Sequence, residues 1–464
     1  MFRMLRWLSK NSYSGTWTNK NMTQNPFTFG NPIREPGRFI GRQAELRQVI
    51  NRLLSSAHES TSIVGERRIG KTSLLMHLAD KSAANLLGLV PERFCLIYID
   101  FQGLVDITPQ RFWSRVLTRM ARSISNPNLR SQIETLQKGE TIELFDLEDL
   151  CEAITDAGLC VVLLLDEFEY VTQNPNFRAD FFGGLRALAI HHNLPLITAT
   201  RRELIDLCHS EEIKGSPFFN IFANIVLRLF KREEVDELLD HYTRESGVII
   251  SPNEHELAWD LGGGHPLFTQ MAGYYLFDGI QQGKRSEASG QGIPSEKLEK
   301  WVTTQFEQQA QPHFSYLWGR CTESEKITLL ATIMLCHTKS AKKEPPFMVR
   351  LVKLYPRAAM DAEHLIKRGL LREQNGDSGC YALLSSSLEG WIMREMAAGP
   401  DEEASQASVS EWLQSGRISL NEPEKGLMAK VKKQYWPLLA TILKEVSFEL
   451  AGNLTFELLL KGLF

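Results

Sequence analysis

Residues 61–78 read TSIVGERRIGKTSLLMHL, and the segment Gly65-Glu66-Arg67-Arg68-Ile69-Gly70-Lys71-Thr72 constrains this chain more than any other stretch. A short apolar strand, Thr61 to Val64, runs into a turn bounded by two glycines. The turn opens a helix with apolar spacing at Leu74, Leu75 and Leu78. Glycines let the backbone fold so that successive N–H groups converge, and the helix N-terminus behind them adds positive dipole. A cradle of this kind fits a phosphate, with Lys71 reaching β and γ oxygens and the Thr72 hydroxyl ligating magnesium. Gly65, Arg68, Ile69, Gly70, Lys71, Thr72 and Ser73 are the candidate nucleotide-binding residues of the loop.

The flanking pattern fits an α/β chain. A second strand, Cys95 to Phe101, precedes an amphipathic helix over Pro109–Ser123 and a polar helical region from about 126 to 158. The most apolar run of the chain follows, CVVLLLDEFE, in which Val161 to Leu165 end in Asp166 and Glu167. Two carboxylates at the end of a buried strand are costly to desolvate unless something occupies them. Magnesium held by Asp166 and Thr72, with Glu167 polarising the attacking water, is the natural account. A helix over about 177–192 leads to LPLITATRREL, which puts Arg201, with Arg202 beside it, at the same carboxyl edge. A guanidinium there can read a γ-phosphate with forked donors. A last strand, ANIVLRL, ends near Leu229. Continuous apolar strands alternating with helices predict a parallel sheet covered on both faces. The strand Cys95–Phe101 intervenes between the loop strand and the Asp166 strand, the pattern of additional-strand ATPases that use a catalytic glutamate. Asp100 ends that strand, as a ligand-facing group or as a solvated acid.

Beyond Lys231 the pattern is helical, broken at Gly262-Gly263-Gly264-His265-Pro266. His265 alone reads as a polar helix-start residue, and Pro266 as a first-turn proline. The predicted organisation is a P-loop core over 31–230, a helical lid over 231–283, a linker over 284–311, a winged-helix unit over 312–397 and a linker with an apolar tail over 398–464. Residues 1–30 read as a disordered extension. The winged unit starts its first helix at a capping-box-like Thr322 with Glu325 three residues on. Further helices near 347–354 and 358–368 follow, and then two short strands around NGDSG. The tail is apolar at WPLLATIL and FELLLKGLF but broken by charges. It suits self-association, a membrane-surface helix, or packing on the chain's own body.

Composition excludes several classes. Lys and Arg total 52 against 56 Asp and Glu, so the chain is not a globally basic nucleic-acid wrapper. Seven cysteines without a C-x-x-C pair predict buried thiols in a reducing cytoplasm rather than disulfides or zinc. No run approaches 18 uncharged apolar residues, so no spanning helix is expected. The first 21 residues carry Arg3, Arg6, Lys10 and Lys20 and no acid, yet lack the apolar core of a secretion signal.

Taken together, FIGRQAEL (39–46), GERRIGKTSLL (65–75), LLLDEFE (163–169), ITATRRE (197–203), SPFFNIF (216–222) and GGHPLF (263–268) resemble prokaryotic AAA-like ATPases of the STAND class, near the archaeal-type branch. The resemblance spans about residues 30 to 280. It implies that Gly41 and Arg42 lie near adenine and ribose, and that Arg201 is the sensor arginine. It also implies that Pro266 and His265 press on the nucleotide from the lid, and that a winged helix latches an ADP-bound closed form. The chain departs from the class in lacking a C-terminal repeat array and a recognised N-terminal effector domain.

The expected function is an ATP-binding, slowly hydrolysing switch in signalling or defence, with ATP or ADP and Mg²⁺ as cofactors. Its expected partner is another protein or a second copy of itself. Intact Glu167 speaks against a scaffold that never hydrolyses. The alternative is a DNA-binding ATPase resembling origin-recognition proteins. The winged unit holds twelve Lys and Arg against nine Asp and Glu, and its candidate recognition helix carries Asp361 and Glu363, which repel a phosphate backbone. Lys339, Lys342, Lys343, Lys367 and Arg368 favour DNA instead.

Overall fold

A computed structural model describes residues 24–215, 217–283, 296–337, 346–354, 357–373 and 380–397. Residues 1–23, Ser216, residues 284–295, residues 338–345 with Lys339, Lys342 and Lys343, and residues 355–356, 374–379 and 398–464 lie outside the described residues.

Five strands form one parallel sheet: β1 (Thr61–Val64), β2 (Phe94–Asp100), β3 (Cys160–Asp166), β4 (Leu196–Thr200) and β5 (Ala223–Val226), in the order β2-β3-β4-β1-β5. β3 is buried along its whole length. Side chains alternate across a strand. Val161, Leu163 and Leu165 accordingly enter a phenylalanine-rich core with the helix Pro109–Ser123, while Cys160, Val162 and Leu164 enter a second core with the helices Gln43–Leu53 and Lys71–Ala79. The sheet is thus covered on both faces, as a continuous apolar run requires. β2 intervenes in sequence but lies at the sheet edge. The strand between β1 and β3 in space is β4, so the residues after Thr200 emerge between the phosphate-loop strand and the Asp166 strand. β5 ends at Val226, short of Leu229, because the chain then turns to the lid, where the Phe230 N–H donates to the Gly264 carbonyl at 2.7 Å.

The helices Arg232–Thr243, Pro252–Gly262 and Pro266–Gln281 form the lid. The expected linker over 284–311 is corrected from its second half onward. Residues Glu296–Gly319 are one helix through Pro312, and they bury Leu298, Val302, Phe306, Ala310 and Phe314. That four-residue spacing is the apolar stripe of a core-facing helix and outweighs the polar composition between its members. The extension is corrected at its end as well. Phe27 is buried in the lid core against Gly273, where a Cβ would come within 2.4 Å of its ring.

Three helices, Glu323–His337, Phe347–Leu354 and Ala358–Lys367, precede an antiparallel pair, β6 (Leu371–Glu373) and β7 (Tyr381–Leu383), and the helix Ser386–Ala397. The capping box forms: the Thr322 N–H donates to Glu325 Oε2 at 2.8 Å and the Glu325 N–H to Thr322 Oγ1 at 3.1 Å. This unit and the lid share one apolar core. The glycine break explains their approach, since Gly263 has φ +57° and a Cβ there would fall 1.6 Å from the Leu384 carbonyl oxygen. Asp361 does not repel an approaching polyanion as its sequence position suggests. It is buried and accepts hydrogen bonds from the Ser324 and Thr328 hydroxyls, with the latter at 3.1 Å.

Candidate nucleotide site

The carboxyl edge of the sheet, the turn 65–70 and the lid enclose a cavity of about 430 Å³. Gly70, with φ +103°, ends the turn and caps the helix Lys71–Ala79, so the first N–H groups of that helix face the cavity. Lys71 is buried and donates from Nζ to the carbonyl oxygens of Gly65 (2.8 Å) and Glu66 (3.2 Å). Burial lowers its pKa, against the pull of Glu167, Glu169, Asp166 and Glu66. The ammonium's hydrogen bonds go to neutral carbonyls rather than to a carboxylate, which leaves its charge available to a phosphate.

Asp166, only 1% exposed, receives the Glu167 N–H on Oδ1 at 3.0 Å and the Tyr98 hydroxyl on Oδ2 at 2.9 Å. Its pKa is raised by burial, opposed by hydrogen bonds from Thr72 and Tyr98. Glu167 follows with φ +51°, a left-handed backbone uncommon outside glycine. That turn holds Glu167 at the cavity wall, and burial followed by repulsion from Glu169 raises its affinity for a proton.

Among the described residues no cluster of three or more His, Cys, Asp or Glu could hold a metal by itself. Thr72 and Asp166 both line the cavity as hard oxygen donors, and a buried carboxylate lacking a full countercharge suits a divalent cation. This donor set fits magnesium, which takes few protein ligands and fills its shell with phosphate oxygens and water.

The expected residues divide into two groups. Arg42, Arg68, Ile69, Gly70, Lys71, Thr72, Ser73, Asp166, Glu167 and Pro266 line the cavity, as does Asp100, whereas Gly41, Gly65, Arg201 and His265 do not. Ile69 offers only backbone, its side chain being buried under Gly65. Arg42 lines the cavity with its guanidinium already engaged. Its Nη2 donates to the Ile69 carbonyl at 3.0 Å, its Nη1 pairs with Glu45 and its plane lies over Phe230, so it ties the phosphate loop to the lid. Gly41 packs on Glu234 and Phe230 of the lid side.

His265 points into the lid against Phe268 (ring centroids 4.7 Å apart), and burial, Arg42 and His313 push its pKa down to about 3. Pro266 alone of that pair faces the cavity. Arg201 sits behind the wall. Its Nε donates to Glu169 Oε1 at 2.8 Å, and the pairing with Glu169 and then Tyr316 raises its pKa. Burial of Arg201 opposes that rise and is the largest single influence on it.

Several lining residues carry no motif. Residues 28–34 and 38–40 form a strap across the mouth, fixed by Arg68 Nη1 on the Gly30 carbonyl (2.9 Å) and by the Ile33 N–H on Ser73 Oγ (3.0 Å). Tyr98 and Gln102 flank Asp100, and Tyr242 and Gln270 come from the lid. A signal was available only for Tyr98, which stands two residues before Asp100 and so shares its face of the strand.

The loop also faces outward. Arg368, just past the helix Ala358–Lys367, pairs with Glu66 Oε2 at 3.0 Å and with Glu325 Oε2 at 3.1 Å. Arg67 lies over the Tyr316 ring, 5.5 Å from its centroid. Among the described residues no helix is long and apolar enough to cross a membrane.

Comparison with known proteins places the chain in a family. The family model described as Novel STAND NTPase 2 matches residues 53–333, more than half of the chain. Similar solved structures include the Walker-type ATPase PABY2304 of Pyrococcus abyssi, 16% identical, covering 78% of this chain and 98% of that one with a TM-score of 0.48. Another is the Aeropyrum pernix ORC2 protein in its ADPNP-ADP complexes, 17% identical, covering 81% and 99% with a TM-score of 0.45. A third is the Aeropyrum pernix ORC1 protein in complex with DNA, 15% identical, covering 77% and 93% with a TM-score of 0.39. Among curated proteins no relative matches.

Proposed function

We propose, from the premise that the chain belongs to the Novel STAND NTPase 2 family, that it is a magnesium-dependent ATPase working as a slow molecular switch. Lys71 moves its three donors from loop carbonyls to β- and γ-phosphate oxygens, joined by the N–H groups of Gly70, Lys71, Thr72 and Ser73. Thr72 and Asp166 would hold Mg²⁺, which when bound neutralises phosphate charge and orients the γ-phosphoryl group. Glu167 is the residue to orient and deprotonate the attacking water. Arg201, one strand over and tethered by Glu169, is the candidate γ-phosphate sensor, acting after a change of partner or through Glu169. Pro266 closes the base end from the lid.

The observation that carries the switch reading is the ion pair between Glu66 of the phosphate loop and Arg368 of the C-terminal unit. A loop that changes shape around a triphosphate pulls directly on that unit. The helix–helix–helix–hairpin order supports its assignment as a winged helix over 312–397. A switch moves only by the difference in a ligand's affinity for its two forms, and Glu66–Arg368 is a contact able to create one. Of the cations counted toward DNA, the two among the described residues are engaged by carboxylates: Arg368 by Glu66 and Glu325, and Lys367 by Glu363. Signalling or defence through a protein partner or a second copy, in the cytoplasm, completes the proposal.

Calorimetry with ATP and Mg²⁺ on wild type and Lys71→Ala tests the site. Heat of binding is expected for the wild type, and a loss of at least tenfold in affinity for the variant. Folded wild type without binding heat, or equal affinity in Lys71→Ala, overturns the proposal. Slow turnover with ADP retained through purification is the accompanying expectation, and fast unstimulated turnover would refute the switch.

A further inference from the structure

We infer that Tyr98 is a positioning residue for Asp166, fixing through its hydroxyl the carboxylate orientation that magnesium-dependent nucleotide binding uses; this rests on the nucleotide site proposed above. Two donors from two strands converge on that one carboxylate. The Tyr98 hydroxyl comes from β2 at 2.9 Å and the Glu167 N–H from the end of β3 at 3.0 Å, one on each oxygen. A carboxylate accepts about four hydrogen bonds, so this one keeps acceptor capacity on each oxygen, and it lines the cavity. Tyr98 occupies Oδ2 and the Glu167 N–H occupies Oδ1, so the carboxylate plane cannot turn without losing a bond.

The hydroxyl does more than fill space. Tyr98 lines the cavity with its ring half-buried, and phenylalanine would pack the same volume. What phenylalanine removes is one of the donors of a carboxylate that has almost no access to water. A buried acceptor deprived of its partner seeks another, and the Lys71 ammonium, whose charge already acts on Asp166, can supply one. Asp166 then turns towards Lys71 and away from the direction that serves a cation. Partners that orient a metal-facing group typically affect metal affinity 10- to 100-fold.

Tyr98→Phe tests this through Mg²⁺ titrations of fluorescent ADP affinity, with EDTA samples as baseline and thermal melting as the check on folding. The expected result is an unchanged affinity in EDTA and a half-saturating Mg²⁺ concentration raised about tenfold. An equal loss of affinity in EDTA and in Mg²⁺ would mark a purely structural residue and overturn the inference. An unchanged Mg²⁺ dependence overturns it too, while the nucleotide site stands. Wild type that binds no nucleotide brings down both.

Discussion

Replacing Arg368 with alanine removes the guanidinium that pairs with Glu66 of the phosphate loop from the C-terminal unit. The Arg368 side chain is 20% exposed, and its partners Glu66 and Glu325 are 11% and 8% exposed. Breaking a fully buried ion pair from one side costs about 3–5 kcal/mol. Here the loss is smaller, because each carboxylate keeps a backbone donor: Glu66 holds the Arg67 N–H at 3.0 Å and Glu325 holds the Thr322 N–H at 2.8 Å. A hydrogen bond to a charged group contributes about 1.5–3 kcal/mol, which places the cost near 2 kcal/mol. If the contact exists only in the closed form, that cost falls on the closed form alone. At about 1.4 kcal/mol per tenfold, it accelerates release of bound ADP by roughly 30-fold. Stopped-flow displacement of a fluorescent ADP measures that rate, with melting curves to confirm a folded protein. Glu66→Gln leaves the Arg368–Glu325 pair intact and gives a smaller acceleration. In the double variant the two effects must be non-additive, because the residues are in contact. Release from Arg368→Ala within twofold of wild type, or full additivity in the cycle, refutes the idea that this ion pair couples the site to the C-terminal unit.

Glu167→Gln should lower ATP turnover by at least about 100-fold, the lower end for a general base, with ATP affinity kept within a few-fold; turnover near wild type by phosphate release would move the base elsewhere. His265 gives a pH signature. Its folded pKa of about 3 lies below the ordinary 6.5, so below pH 6.5 the unfolded chain takes a proton that the folded one refuses, and stability falls with pH. At about 1.4 kcal/mol per pH unit, His265→Leu should lose about 2 kcal/mol less than wild type between pH 6.5 and pH 5 in urea unfolding, and equal losses would contradict this origin. Gly263→Ala combines a left-handed backbone, costing about 1–2 kcal/mol, with a clash on Leu384 of the 1–3 kcal/mol overpacking type. A lowered urea midpoint is expected, and an unchanged one would mean that the lid and C-terminal unit do not meet there.

Residues whose chemistry is set within a few positions of the chain were legible in advance. The glycine turn, Lys71, Thr72, and Asp166 with Glu167 at the end of β3 all depend on a strand handing over to a turn, and a strand's end faces the cavity whatever the rest of the chain does. His265 and Pro266 mark the limit of that logic. The proline was expected at a helix start and is found there, but neighbouring residues at a helix start point in different directions, and only the packing of Phe268 and Arg42 decides which one enters the cavity. The helix Glu296–Gly319 was hidden by its polar composition, although the four-residue spacing from Leu298 to Phe314 was present to be read. The strap over 28–40 and the Glu66–Arg368 pair carry no local signal at all, since the pair joins residues 302 positions apart. Two of the four variable positions of the phosphate loop, Glu66 and Arg67, therefore have a use that the motif leaves open. A nucleotide cradle needs only backbone at those positions, so their side chains are free to hold the C-terminal unit, and any change in the loop's shape is carried outward through them.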